Sequence, residues 1–342
     1  MIRTGLRSRL CKVLSPAGAG LRLLALLAVV AMMGSMAVAD AGKPAFRFQK
    51  SSVVKLARHQ PDLMALMSGT WSGAFNAQIT SRKGSFTFFS RVDRNLWSQI
   101  RGSWGSDDST KNEYGFGAIG MHTYVRPNLI IGGMVELDYH SKTTGSSNKE
   151  SRGIMAGPYF LARMTNHPLR FEGRLLVGRT NTRLDSVDTP EQRLDALRAL
   201  AQLKMSGELT FGATKLTPVV EALYATDHQG EYTDASGAVI RAMGVHMGEV
   251  ELGLDFEREL PKIRDRIFTL LAGGGVSGTL TDGYGSADAA VPKSSSSRGR
   301  LNLGVSYRTQ RGGTVVIDSF VERVSAKPAE TYGLNVGFDI SF

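Results

Sequence analysis

The last eleven residues, Tyr332 to Phe342, alternate without a break: Tyr332, Leu334, Val336, Phe338, Ile340 and Phe342 are apolar, and Gly333, Asn335, Gly337, Asp339 and Ser341 fill the positions between. A period of two is that of a β-strand with one greasy face. Eleven residues is also the length a tilted strand needs to cross a bilayer, roughly 9–11. The stretch finishes on an aromatic residue, as expected of a bilayer-spanning barrel that closes on its final strand. A chain of 342 residues suggests about two soluble domains by length alone. A single large β-domain is the accepted exception.

The formal charge of +10 would by itself suggest a nucleic-acid partner, but the N-terminus removes that inference. Residues 1–39 hold no acid and carry Arg3, Arg7, Arg9, Lys12 and Arg22 ahead of an apolar run from Leu23 to Met33. Met36-Ala37-Val38-Ala39 then offers a small-residue cleavage site before Asp40. The pattern is that of a signal peptide, and the run is shorter than the ~20 residues of a spanning helix. Its removal lowers the charge from +10 to +5. No nucleic-acid partner is expected. The only cysteine, Cys11, lies within the signal, so the exported chain has no disulfide and no cysteine metal site.

Residues 40–94 read as a short passenger or linker. Within it, 49–67 shows helical spacing interrupted at Pro61, and 75–92 reads as a hairpin turning at Ser81-Arg82-Lys83-Gly84. Twelve segments of strand character follow, at about 95–104, 113–125, 128–139, 152–164, 168–178, 197–211, 215–225, 246–257, 264–277, 299–308, 313–321 and 331–342. Several alternate clearly. Val135, Leu137 and Tyr139 oppose Glu136 and Asp138; Phe171, Leu175 and Val177 oppose Glu172 and Arg174; Leu203 and Met205 oppose Gln202 and Lys204. One face suits lipid, the other a wet lumen where charges of both signs pair. The connections alternate too: 105–112, 140–151, 179–196, 226–245, 278–298 and 322–330 are long and polar, while Arg126-Pro127, 165–167, 212–214, 258–263 and 310–312 are short. A soluble sandwich has no reason to segregate its loops in this way or to bury so charged an interior. The expected fold is therefore all-β: a transmembrane antiparallel β-barrel of about twelve strands over 95–342, preceded by a short helix.

Several residues of these segments resemble a known family. Asn95-Leu-Trp-Ser-Gln-Ile-Arg-Gly-Ser-Trp104, Tyr114-Gly-Phe-Gly-Ala-Ile-Gly120, Pro127-Asn-Leu-Ile-Ile-Gly-Gly133, Met155-Ala-Gly-Pro-Tyr-Phe160 and Phe171-Glu-Gly-Arg-Leu-Leu-Val-Gly178 are similar in order and spacing to the translocator domain of type V autotransporters. The resemblance covers about 49–342. It implies a twelve-stranded barrel in the outer membrane of a Gram-negative bacterium, with the helix 49–67 lying in the pore. It also implies lipid, periplasmic chaperones and the barrel-assembly machinery as partners, the last reading Tyr332, Leu334, Val336, Phe338, Ile340 and Phe342 as an assembly signal. A monomer is expected. Family members usually carry a long β-helical passenger, whereas only 40–94 stand between the expected cleavage point and the first strand of the pattern. Some members cut themselves at an Asn-Asn pair in the pore helix; no such pair occurs here.

Two other functions remain open at this level, a porin-like pore and an outer-membrane hydrolase. The hydrolase would draw on Asp138, His140 and Ser141 with Ser146, Ser147 and Asn148, but His140 and Ser141 are adjacent on a strand and point to opposite faces. His59, His122, His167, His228 and His246 have no ligand spacing. Asp107-Asp108 and Asp282 with Asp288 read as solvated loop charges. Gly273 to Gly275 lacks the helix and lysine of a phosphate loop, and Ser294 to Ser297 is loop-like low complexity. No catalytic residue, cofactor or metal is expected.

Overall fold

A computed structural model describes residues 43–67, 73–80, 83–91, 94–107, 109–186, 189–233, 239–262, 266–285, 291–309, 313–325 and 330–340. The expected signal peptide lies outside the described residues, as do Asp108, Asp288 and Phe342.

The first element is an α-helix, α1, Lys43–Arg58, followed by a single 3-10 turn at Met64–Met67. Fourteen strands then form the wall: β1 Gly73–Ile79, β2 Lys83–Arg91, β3 Leu96–Asp107, β4 Thr110–Arg126, β5 Leu129–Thr144, β6 Ser147–Arg163, β7 Leu169–Ser186, β8 Thr189–Gly207, β9 Thr214–Gln229, β10 Met243–Glu259, β11 Ile267–Gly285, β12 Ser294–Arg308, β13 Thr314–Val324 and β14 Glu330–Ile340. Each pairs antiparallel with its neighbours in sequence. β14 also pairs with β1, from Gly73 opposite Ile340 to Ile79 opposite Leu334, and this contact closes the ring. Leu209–Phe211 continues β8 beyond Glu208 along the same partner strand. Closure satisfies the sheet edges, which an open sheet could not leave in lipid.

This architecture revises two expectations. The wall has fourteen strands rather than twelve, because the 75–92 hairpin is part of the barrel and not of a linker. The terminal strand accordingly seals against Gly73–Ile79, and not against Asn95–Trp104, whose strand pairs with β2. Gly84 permits that pairing, since a Cβ there would run into the Trp104 indole across the strand.

The loops are revised as well. β7 and β8 run to Ser186 and from Thr189, so most of the expected loop 179–196 is strand; β5 and β6 likewise absorb most of 140–151. Around Lys142 and Lys149 neither face of the β5–β6 hairpin is buried, so alternation disappears from the sequence although the ladder continues. The short turns at 127–128, 164–168 and 212–213 all fall at the rim where β1 begins and β14 ends, called the near rim below.

Side chains sort by face as alternation requires. Ile119, Leu137, Ile154, Val177, Leu203, Leu252 and Leu301 are exposed on the outside, whereas Gln99, Glu136, Asp138, Glu172, Arg174 and Arg198 are buried within. Among the described residues no helix is long and apolar enough to cross a membrane; the strands do so.

Candidate functional site

The lumen is occupied by the chain's own N-terminal segment. On α1, Phe46, Gln49, Val53 and Leu56 are buried and recur at three- and four-residue spacing, a single helical face. The helix starts six residues earlier than the expected 49 because this face extends back through Phe46. It ends at Arg58, ahead of Pro61, since a residue preceding proline is pushed out of the α region. A tight bond from the His59 amide to the Leu56 carbonyl, 3.1 Å, closes it.

The direction of the segment is set by its contacts. Phe46 clusters with Met243, Val245 and Val291 at the far rim, and the Lys50 ammonium donates to Ser294 Oγ at 2.8 Å, where β12 begins. Farther along, Val53, Leu56, Ala57, Leu63 and Leu66 share one apolar cluster with Trp97, Tyr114, Ile130, Met155, Tyr159 and Leu176 of the wall. Burying each Leu or Val side chain contributes about 1.5–3 kcal/mol. The polypeptide thus passes through the barrel from far rim to near rim before entering β1.

Polar anchors fix it at three levels. Near the far rim, His140 Nε2 donates to Asn112 Oδ1 at 3.0 Å, which leaves Nδ1 to accept the Ser52 hydroxyl at 2.7 Å; the imidazole stacks on Phe48. Midway, Gln60 Nε2 donates to Glu136 Oε2 at 3.0 Å. Below it, Arg174 donates to the Pro61 carbonyl at 2.5 Å, to Gln60 Oε1 at 3.2 Å and to Glu172, while Glu172 accepts the Leu63 amide at 3.1 Å. Lys204 pairs with Asp62 at 3.1 Å. Arg198 is held within the wall by Asp227 and Asp138, at 2.6 and 2.8 Å. The helix carries Lys43, Arg47, Lys50, Lys55 and Arg58 and no acid, and Arg58 shares a polar cavity of about 170 Å³ with Glu249 and Glu251. A basic segment in a lumen rich in carboxylates is electrostatically complementary.

The hydrolase candidates are not brought together. Asp138 faces Arg198, Ser146 is exposed at the β5–β6 turn, and Asn148 donates to Glu150 at 3.2 Å. Ser52, His140 and Asn112 do line up as a nucleophile relay would. Yet Ser52 and His140 are each 0% exposed, and Ser52 lies mid-helix with its amide committed to the helical ladder, so neither a substrate nor an oxyanion donor has a place. Among the described residues no group of three or more potential metal ligands converges.

Of the expected assembly-signal residues, Tyr332, Leu334 and Phe338 are exposed on the outside of β14 and Val336 is half-buried there; the Ile340 backbone pairs with Gly73. Sequence reasoning placed Glu136, Glu172, Arg174 and Lys204 on the lumenal face but missed Gln60, Pro61 and Asp62 as their partners, and Ser52 as the partner of His140.

A closed barrel with a charged lumen filled by the segment ahead of its first strand defines an outer-membrane translocator barrel. The model of the autotransporter beta-domain family matches residues 96–318, and the chain belongs to that family. It is an outer-membrane protein of the type V secretion class. The translocator domain of the autotransporter NalP from Neisseria meningitidis has the same fold, with a TM-score of 0.54 at 15% identity over 86% of this chain and 98% of that one. The beta domain of the Bordetella autotransporter BrkA is 14% identical over 79% of this chain and 100% of that one, with a TM-score of 0.47. No curated protein matches the chain.

Proposed function

We propose that this barrel is a non-enzymatic translocator whose lumen is held shut by residues 43–67, which act as plug rather than passenger, so that the chain works with little or no passenger between its expected export signal and β1. The observation that carries the reading is the course of the plug: it crosses the lumen from far rim to near rim and is bonded to the wall at Ser52, Gln60 and Pro61. With the near rim in the periplasm, the helix N-terminus lies at the cell surface, the course of a segment exported through its own barrel. Outer-membrane lipid, periplasmic chaperones and the barrel-assembly machinery are its partners, and it works as a monomer.

Conductance in planar bilayers tests this. Deleting 43–67 is expected to raise conductance several-fold, because it empties the part of the lumen that the plug and its anchors occupy. Equal conductance with and without 43–67 would sink the plug reading.

A further inference from the structure

The plug does not fill the lumen evenly. It packs chiefly on the apolar lumenal residues of β3–β8, while beside β9–β12 a polar cavity of about 350 Å³ stays open and shares Lys204, Glu221, Glu251 and Arg298 with the smaller one that Arg58 enters. A third cavity, of about 280 Å³, shares Asp255 and Asn302 with the large one and extends to Arg170 and Lys215 at the near rim. Above, Phe46 of the plug closes on Met243 and Val245, so this cleft is reached from the near rim.

Its floor is bare of side chains. Across β10, β11 and β12 the rows are Glu251, Ser277 and Arg298, then Gly253, Gly275 and Arg300, then Asp255, Gly273 and Asn302, and Val219 of β9 stands beside Gly253. Two acceptors converge over Gly273, where a Cβ would stand 2.6 Å from Asp255 Oδ1 and 2.7 Å from Asn302 Oδ1. Among the described residues neither side chain has a hydrogen bond or an ion pair. Higher up, Glu221 and Gln202 repeat the combination of carboxylate and amide: Gln202 Nε2 donates to Glu221 Oε1 at 2.6 Å, and the Oε1 of Gln202, a residue only 7% exposed, has no partner. The cations are engaged elsewhere. Arg298 faces Glu251, Glu249 and Glu322 at 3.3, 3.8 and 3.9 Å; Arg300 faces Glu322 at 3.9 Å and lies over the Phe320 ring. Lys204, opposite Glu221, pairs with Asp62 at 3.1 Å, and Lys215 pairs with Glu257 at 3.4 Å. Arg170 pairs with Glu208. Even with Arg58 counted, Lys204, Arg298 and Arg300 make four cations against six carboxylates, Asp62, Glu221, Glu249, Glu251, Asp255 and Glu322.

We propose that the cleft binds a linear polyamine, with one terminal ammonium between Asp255 and Asn302 over Gly273, the other at Glu221 and Gln202, and the methylenes passing Val219, Gly253 and Gly275. Acceptors without partners call for a ligand that only donates, and an ammonium is a compact group of three donors. Glu221 lies opposite Glu251, four residues from Asp255 along β10, so the two acceptor pairs are separated by a rise of ~13 Å. A triamine spans that distance and a metal ion does not; among the described residues no three potential metal ligands converge. Entry from the periplasm follows from the orientation proposed above, on which the binding measurement does not depend.

Titration calorimetry on the full chain in detergent micelles tests this, with spermidine as the probe. The wild type is expected to bind it saturably and about tenfold more tightly than butylamine, which can occupy one end only, and the double variant E221Q and D255N to bind it about tenfold more weakly. Asp185→Asn, exposed beyond the cleft at the far rim, should keep the wild-type affinity, and an equal loss there would overturn the site. So would the absence of saturable binding, equal affinity for spermidine and butylamine, or an unchanged affinity in the double variant. Displacement of spermidine by equimolar Mg²⁺ would also overturn it, reducing the cleft to a diffuse acidic surface. If the double variant fails to fold, Asp255→Asn alone, whose carboxylate holds no other residue of the wall, should weaken binding about threefold, and no change would sink the proposal.

Discussion

The Arg174 guanidinium donates to the Pro61 carbonyl at 2.5 Å, joining the wall to the one place where proline interrupts the lumenal segment. The same group serves Glu172 and faces Glu136 at 3.9 Å. Arg174→Met would leave both carboxylates buried without a cation, and breaking such a pair costs about 3–5 kcal/mol. Planar-bilayer conductance is expected to rise toward that of the plug-deleted protein while the barrel stays heat-modifiable on gels. A variant that conducts like the wild type would deny Arg174 its anchoring role.

Ser52→Ala removes the hydroxyl that His140 Nδ1 accepts and leaves a buried acceptor unpaired, a loss of about 1–3 kcal/mol. Amide exchange across 43–58 should accelerate about tenfold or more, with the wall strands unaffected. Uniform acceleration would place the effect in the barrel rather than in the plug.

The plug should loosen in acid. His59 lies in the lumenal turn outside the spanning strands, with its Nδ1 bonded to the Lys55 carbonyl at 2.7 Å. Burial lowers its pKa from the ordinary 6.5 to about 4, assisted by the nearby charges of Arg101, Lys55 and Arg58 and opposed by that carbonyl bond. Between those values an undocked plug binds a proton that the docked one refuses. His59 therefore contributes its full share to docking above pH 6.5, and that share is lost as pH falls toward 4. His59→Gln should flatten this part of a conductance-against-pH curve; an identical curve would remove His59 from the response.

Deleting 73–91 should prevent a closed barrel from forming, because β14 and β3 would each lose one of their two partners. The readout is heat modifiability after refolding. A resistant band from the deleted protein would mean that β14 can seal directly on β3. Gly84→Leu is the milder version, since its side chain must displace the Trp104 indole.

If the terminal strand is the assembly signal, Phe342→Ala or a short C-terminal extension should lower outer-membrane insertion and leave export intact. Fractionation of cells measures both. Normal insertion would leave the strand only its closing role.

Much of the wall could be read from alternation. Glu136 and Asp138 stand between Val135, Leu137 and Tyr139, and the structure buries both inside. The partners of His140 could not be read: Ser52 and Asn112 belong to no pattern, and their bonds to it span 88 and 28 residues. Strand ends were illegible for another reason. Around Lys142 and Lys149, which face each other across the β5–β6 ladder, both sides of the sheet are wet, so hydrogen bonding persists without a hydrophobic period. The hairpin at 75–92 was visible as a hairpin, but its membership of the barrel depends on a pairing with the opposite end of the sequence, from Gly73 to Ile340.

The seam between β1 and β14 has a topological consequence. With that seam paired, the ring is closed around its own leading segment, and the protein is threaded like a bead on its own string. The plug can afterwards leave only end-on, through a rim, while the hoop of strands stays shut. Undocking and unfolding are therefore separate events, and a folded domain attached ahead of Lys43 at the far rim would act as a stopper against retreat toward the near rim.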